Sequence, residues 1–166
     1  MGRVIRREDG ATAVEFALIA PALFLLIFVI FQTALVFVAE QVLDNGVATV
    51  ARQIRTGQLA SGNAKTLVCA EISYVISCSG SSFFVDVQSS SDIGSLPTTN
   101  LVNTDGSYKS SAQNSFGTAG DYVLIRAYYE WPLVKIFGSL TLANLDNGTR
   151  LLSSYAVFRN EPASTT

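Results

Sequence analysis

The sequence predicts an α+β chain in which one long N-terminal transmembrane helix extends into a periplasmic domain built on an antiparallel sheet. Three observations carry this. Residues 16–39 are 24 consecutive positions without a charge. After them the apolar residues continue at helical spacing on one face only. In the second half of the chain, three segments alternate with the period of a strand.

Composition narrows the function before any element is placed. The chain has 166 residues, 49% hydrophobic and only 14% charged, against about 25% charge in an ordinary soluble domain. Removing the apolar block leaves one domain's worth of chain, about 100 to 150 residues. Histidine is absent, which excludes a Ser-His-Asp or Cys-His nucleophile, an H-E-x-x-H zinc site and a histidine general base. No catalytic site, cofactor or metal site is expected. A net charge of −2 leaves no basic stripe for phosphates, so nucleic acid is not an expected partner.

Residues 1–10 read as a cytoplasmic leader. The uncharged block, at about 1.5 Å per residue, makes a helix of about 36 Å against a hydrocarbon core of about 30 Å. Its polarity is limited to Gln32 and Thr33, so it has no polar face. Arg3, Arg6 and Arg7 precede it and Glu40 and Asp44 follow, which holds the N-terminus in the cytoplasm and puts the rest outside. A cleaved secretory signal has an apolar core of only about 7 to 15 residues and a small-x-small exit; this run is longer and ends Phe37-Val38-Ala39-Glu40. Glu15 stands at the start of the run, where an ionised carboxylate costs up to about 3 kcal/mol if carried to the bilayer centre. At the cytoplasmic interface it snorkels instead.

Residues 11–56 are expected to form the transmembrane helix and a stalk. Leu43, Val47, Val50 and Ile54 fall on one helical face, with Gln41, Asp44, Thr49, Arg52 and Arg55 on the others. Gly57 is a suitable stop, and Arg52 and Arg55 suit the negative end of the helix dipole. A helix from Ala11 to Arg55 is about 68 Å long and projects about 24 Å beyond the apolar block. Asp44-Asn45-Gly46 is its weak point, since these residues favour turns.

Residues 57–166 are expected to form the outer α+β domain. A second helix is expected over residues 63–75, where Leu67, Val68, Glu71, Ile72 and Val75 have helical spacing. Cys69 lies in it and Cys78 just beyond, on the oxidising side of the membrane, where a disulfide is expected, with two free buried thiols as the other reading. Strands are expected over 83–88, 122–130 and 149–159, the last preceded by an Asp146-Asn147-Gly148 turn. A short helix is expected between Trp131 and Leu145, containing Val134, Ile136 and Phe137. Residues 89–120, of which 19 of 32 are Ser, Thr, Gly or Asn, form a long loop. It reads as a solvated insertion, with a binding surface as the other reading. Tyr122, Tyr128, Tyr129 and Trp131 read as sheet packing, with a carbohydrate-binding face as the alternative. Glu71, Asp86 and Glu130 have no spacing that suggests acid-base pairing.

Gly10-Ala-Thr-Ala-Val-Glu15-Phe, followed by a long apolar helix, resembles the processing site of type IV pilins. More specifically it resembles the TadE-like pseudopilins of the Tad (Flp) pilus system, with Phe16 where that motif has Tyr. Ala51-Arg-Gln-Ile-Arg-Thr-Gly-Gln58 looks like the family's helix end. Cys69-Ala-Glu-Ile with Cys78 and Phe84-Val-Asp-Val-Gln88 resemble its cysteine pair and first strand. Residues 122–132 and 155–162 look like its later segments. The resemblance implies a pilin-like fold and a non-enzymatic minor pilin or pseudopilin that takes part in Tad pilus assembly and supports surface attachment. It implies cleavage by a prepilin peptidase between Gly10 and Ala11, and a role for Glu15 as an assembly contact. The implied partners are sibling pseudopilins, assembly-platform proteins and the inner membrane, with the protein single-pass in that membrane or incorporated in the pilus. The rival reading is an uncleaved membrane-anchored periplasmic binding protein for glycan or cell-wall material.

Overall fold

The computed structural model describes residues 9–134 and 142–162, with side-chain surroundings from residue 12 onward. The leader arginines Arg3, Arg6 and Arg7 lie outside the described residues. So do Ile136 and Phe137 of the short helix expected after Trp131, while Val134 belongs to no regular element.

Helix α1 runs Asp9–Arg55 as one element of 47 residues, through Asp44-Asn45-Gly46 as well. Gly46 is what packing requires there: a Cβ at this position would overlap Ile72 Cγ2 on the neighbouring helix. The weak helix propensity of glycine, about 1 kcal/mol against alanine, is the cost of that close approach. The helix ends where expected. Gly57 takes a left-handed φ of 72°, and Thr56 and Gly57 donate their N–H groups to Arg52 and Ile54 carbonyls.

The chain forms two compact units, Met1–Leu35 and Val36–Thr166. In the first, the described side chains are exposed or half-exposed apart from Ala20. In the second, Leu43, Val47, Val50 and Ile54 are buried as their spacing predicts, and Val36 and Ala39 join the same core. The half of α1 read from sequence as a projecting stalk is instead the central helix of the outer domain. Its apolar face is covered by the sheet and by a second helix.

That helix, α2, spans Ala64–Ile72. Two asparagine side chains hold its N-terminus: Asn63 accepts from Thr66 N–H at 3.3 Å, and Asn114 accepts from Ala64 N–H at 2.8 Å. It stops three residues earlier than the periodicity suggests. A turn carried by Ser73, Val75 and Ile76 N–H groups closes it, and the Cys69–Cys78 disulfide, with Cα atoms 5.9 Å apart, brings the chain back. Ile76 therefore enters the core in place of Val75.

Three strands make one antiparallel sheet in the order β1-β2-β3, with β1 at Phe83–Ser90, β2 at Tyr122–Trp131 and β3 at Arg150–Arg159. Val85 stands opposite Ala127 and Ile125 opposite Ala156. One face is the inner one: Phe83, Val85 and Val87 on β1, Val123, Ile125, Ala127 and Tyr129 on β2, and Leu152 on β3 are buried against α1 and α2.

The other face departs from expectation. Leu124, Arg126 and Tyr128 of β2 and Asp86 of β1 are buried as well, because residues 89–120 lie across them. Leu101 and Val102 pack on Tyr128 in a second apolar cluster with Phe84, Tyr108 and Leu151, and Tyr108 stacks on Phe84 at 4.2 Å. The same segment closes the outer edge of β1. Val87 N–H donates to Gln113 carbonyl at 3.0 Å, and Ser115 N–H to Val87 carbonyl at 2.9 Å, which satisfies edge groups that otherwise invite pairing with another chain. The long loop is thus a structural cover, not a solvated insertion.

Candidate functional site

Residues 12–35 of α1 present an apolar surface with one ionisable side chain. Val14, Phe16, Leu18 and Ile19 are exposed, and Glu15 stands exposed among them. Gly10 and Ala11 have helical backbone, and Glu15 follows Ala11 by four residues, one helical turn. The segment is long and apolar enough to cross a membrane, and in such a setting an exposed carboxylate demands water or a partner.

Within the outer domain, an ion pair organises the outward face of the sheet. Arg126 and Asp86 are cross-strand partners. Arg126 Nη2 donates to Asp86 Oδ2 at 2.8 Å, with both side chains almost wholly buried. Asp86 also accepts from Gln113 N–H at 2.9 Å and from Gln88 Nε2 at 3.0 Å. Arg126 Nη1 donates to the carbonyls of Thr99 at 3.0 Å and Pro97 at 3.3 Å. The pair therefore ties β1, β2 and both ends of the covering loop. Two charges taken from water are tolerable only with this degree of hydrogen bonding.

Beside this clamp, the turn around the 3-10 segment Ile93–Ser95 and the outward faces of β2 and β3 enclose a groove of about 690 Å³, walled by Leu96, Leu124, Arg126, Tyr128, Tyr155 and Val157. Tyr155 is 72% exposed on its rim. Burial pushes the Tyr128 phenol above its ordinary range, with nearby Arg126 opposing. Burial, with Glu130 adding to it, raises Tyr108 further. The groove offers apolar contact area and a guanidinium already engaged by three acceptors. Among the described residues its lining holds no carboxylate, lysine or cysteine.

Of the residues singled out from sequence, the structure brings together Cys69 and Cys78. It separates the three carboxylates: Glu71 is exposed on α2, Asp86 pairs with Arg126, and Glu130 accepts from Asn147 Nδ2 at 2.9 Å. The aromatic residues are divided by strand alternation. Tyr128 faces the loop cluster while Tyr129 and Trp131 pack on the inner core, so they form no shared carbohydrate platform. No group of three His, Cys, Asp or Glu side chains suited to a metal exists among the described residues. The Asp86–Arg126 clamp was not picked out from the sequence; opposite charges on two strands that pair in register were its only sign.

No curated protein and no solved structure matches the chain. A family model described as TadE-like protein matches residues 10–52, a stretch that holds both the exposed half of α1 with Glu15 and nearly all of the half buried in the outer domain. Over Gly10 to Arg52 the chain is similar to that family.

Proposed function

We propose that the chain is a non-enzymatic minor pilin or pseudopilin that takes part in assembling a Tad (Flp) type IVb pilus and so supports surface attachment. The observation that carries this reading is the TadE-like match over a helix whose N-terminal half leaves its apolar side chains exposed around one carboxylate, Glu15. In this reading the N-terminus is cytoplasmic, residues 16–35 cross the inner membrane, and the outer domain with its disulfide is periplasmic. A prepilin peptidase cuts between Gly10 and Ala11. The new amine at Ala11, with a pKa near about 8, is mostly charged at neutral pH, and the Glu15 carboxylate of a neighbouring subunit offsets it in a medium where either charge alone is unfavourable. Sibling pseudopilins and the assembly platform are the partners.

The test has two arms. Intact mass of protein from its native host lacks residues 1–10, and a bulky replacement of Gly10 blocks the loss. Glu15→Gln inserts normally but co-purifies less with sibling subunits and lowers piliation. Full-length protein from a host with active peptidase, or normal assembly by the Glu15 variant, defeats the proposal. The rival reading, an uncleaved membrane-anchored binding protein for glycan or cell-wall material, draws on the groove beside Tyr155; a deletion that keeps pili but abolishes ligand binding supports it.

A further inference from the structure

We infer that the outer edge of β3 is a docking site for an extended segment of another protein, which adds to the sheet as a fourth strand antiparallel to β3, with apolar side chains at alternate positions and a carboxylate at its N-terminal end. Only the outer domain is involved, and neither membrane insertion nor cleavage is needed, so the site goes beyond the pilus reading.

The two edges of the sheet differ. That of β1 is closed by the chain itself, through Gln113 and Ser115. On β3, Leu151 N–H donates to Asn144 Oδ1 at 2.7 Å, and the Thr149 carbonyl accepts from Asn144 and Leu145 N–H, so the odd-numbered residues of this strand turn their backbone groups away from β2. By the alternation of an antiparallel ladder, Ser153, Tyr155 and Val157 do the same. Their N–H and carbonyl groups meet no hydrogen-bonding partner among the described residues. Three donors and three acceptors therefore stand in a row with a repeat of about 6.8 Å, and the ligand that answers this repeat with its own acceptors and donors is an extended backbone. Such an edge is normally blunted by lysine, proline or a bulge. β3 pairs with β2 through ten successive positions without a bulge, and from Leu151 to Phe158 it has no charge and no proline. Tyr155 and Val157 are 72% and 52% exposed.

The side chains of the same residues define what the added strand carries. Leu151, Ser153, Tyr155 and Val157 line the apolar groove described above, so every second side chain of a strand laid on this edge adjoins an apolar wall. Val157 also lines a second cavity, of about 520 Å³, at the Arg159 end of the strand, together with Arg55, Asn160 and Glu161. Two guanidiniums share that lining with one carboxylate. Arg55 pairs with Glu161 at 3.3 Å, while Arg159 Nε donates to the Gly120 carbonyl at 2.7 Å, a neutral acceptor, which leaves this end with an excess of positive charge. An antiparallel segment places its N-terminal end beside Arg159, and an aspartate or glutamate there complements the excess. A second copy of β3 does not fit: it has arginine at both ends and no carboxylate, and the antiparallel arrangement would bring its Arg150 to the Arg159 end. The occupant is therefore a strand of a different protein.

The test uses the full chain in detergent micelles and the capped peptide acetyl-Glu-Thr-Val-Thr-Val-Thr-Val-Lys-amide, whose glutamate is to lie opposite Arg159 and whose valines are to lie opposite Val157, Tyr155 and Ser153. Amide hydrogen exchange is read residue by residue by nuclear magnetic resonance. In the chain alone, the amides of Ser153, Tyr155 and Val157 should exchange fast, while those of Ser154 and Ala156, which point to β2, are protected. Saturating peptide should slow the first three at least about tenfold and leave the other two unchanged. Methylating the valine nitrogens removes the N–H groups that face β3 and should abolish the effect, whereas methylating the threonine nitrogens, which point away, should preserve it. Lysine in place of the glutamate should weaken binding about fivefold. Protection of the three amides in the dilute chain alone means that the chain covers this edge itself, and protection that grows with chain concentration means that a second copy does; either refutes the proposal. Exchange that the peptide leaves unchanged refutes it as well, and so does binding that survives methylation of the valine nitrogens, since that is contact with the groove and not addition to the sheet.

Discussion

Replacing Arg126 with Met keeps most of the side chain's length and removes its charge. Asp86 is then left fully buried, with Gln113 N–H and Gln88 Nε2 as its remaining donors, while the carbonyls of Pro97 and Thr99 lose theirs. Breaking a buried pair by removing one partner costs about 3 to 5 kcal/mol. The two surviving donors favour the lower end, about 3 kcal/mol, which at about 4 °C per kcal/mol for a domain of this size lowers Tm by about 12 °C. Removing both charges, as Asp86→Val with Arg126→Met, leaves no stranded carboxylate and should cost far less, since replacing a buried pair by apolar residues is often neutral. The double variant is therefore more stable than the single one. Thermal unfolding of the full chain in detergent, followed by near-ultraviolet circular dichroism, measures both. Hydrogen exchange over residues 97–102 should accelerate in Arg126→Met, because that segment loses its anchor. A loss below about 1 kcal/mol is the range of a solvated surface pair, and would show that the clamp is open to water and does not hold the loop.

Gly46→Ala gains about 1 kcal/mol of helix propensity but pushes on Ile72, and overpacking costs about 1 to 3 kcal/mol; adding Ile72→Leu, which removes the offending methyl, should restore stability, and additive effects would refute the contact. Replacing both cysteines with serine should cost about 2 to 3 kcal/mol by loop-closure entropy, read as a lower denaturant midpoint; an unchanged midpoint argues against the bridge. Tyr108, Tyr128 and Tyr129 all have phenols raised by burial. Below about pH 10 the phenols are neutral in both folded and unfolded chains, whereas above it the unfolded chain ionises first, so stability falls as pH rises past that point. Phenolate absorbance should show these three ionising late and together with loss of tertiary structure, and ionisation near 10 in the still-folded chain would contradict their burial.

Periodicity made much of this fold legible. The spacing of Leu43, Val47, Val50 and Ile54 identified the buried face of α1, and alternation in residues 83–88 and 122–130 identified strands with two distinct faces, because each signal is local and repeats. Asp86 and Arg126 carried no such signal. Nothing in their spacing marked them as a buried pair, and their burial depends on a loop whose packing residues, Leu101, Val102 and Tyr108, have no period. That loop looked solvated because it satisfies itself locally. Asp92 accepts from Gly94 N–H at 3.2 Å, Asp105 from Ser107 N–H at 2.8 Å, and Asp121 from Thr118 N–H and hydroxyl at 2.8 Å, which holds the Asp121 carboxyl below its usual range. Serine, asparagine and aspartate that serve the backbone in this way are indistinguishable, by composition, from those that serve water. Gly10 stood out only through its resemblance to a known processing site, since nothing in periodicity marks a cleavage position, whereas Glu15 stood out also by its charge at the start of an apolar run. The groove beside Tyr155 had no sequence sign, being formed by a turn and two strands brought together by the fold.

The burial of α1 beneath a sheet whose central strand is β2 sets the order in which the chain can be completed. Synthesis runs from the N-terminus, so the apolar row ending at Ile54 leaves the ribosome long before the strand that covers it. The 68 residues from Ile54 to Tyr122 take about 3 to 14 s at about 5 to 20 residues per second, and β3 follows later still. For that interval, a row of aliphatic side chains on the domain half of the helix has no sheet to pack on. A newly made chain therefore has to be sheltered until its C-terminal strands arrive, and truncation before β3 leaves the helix with an uncovered core face.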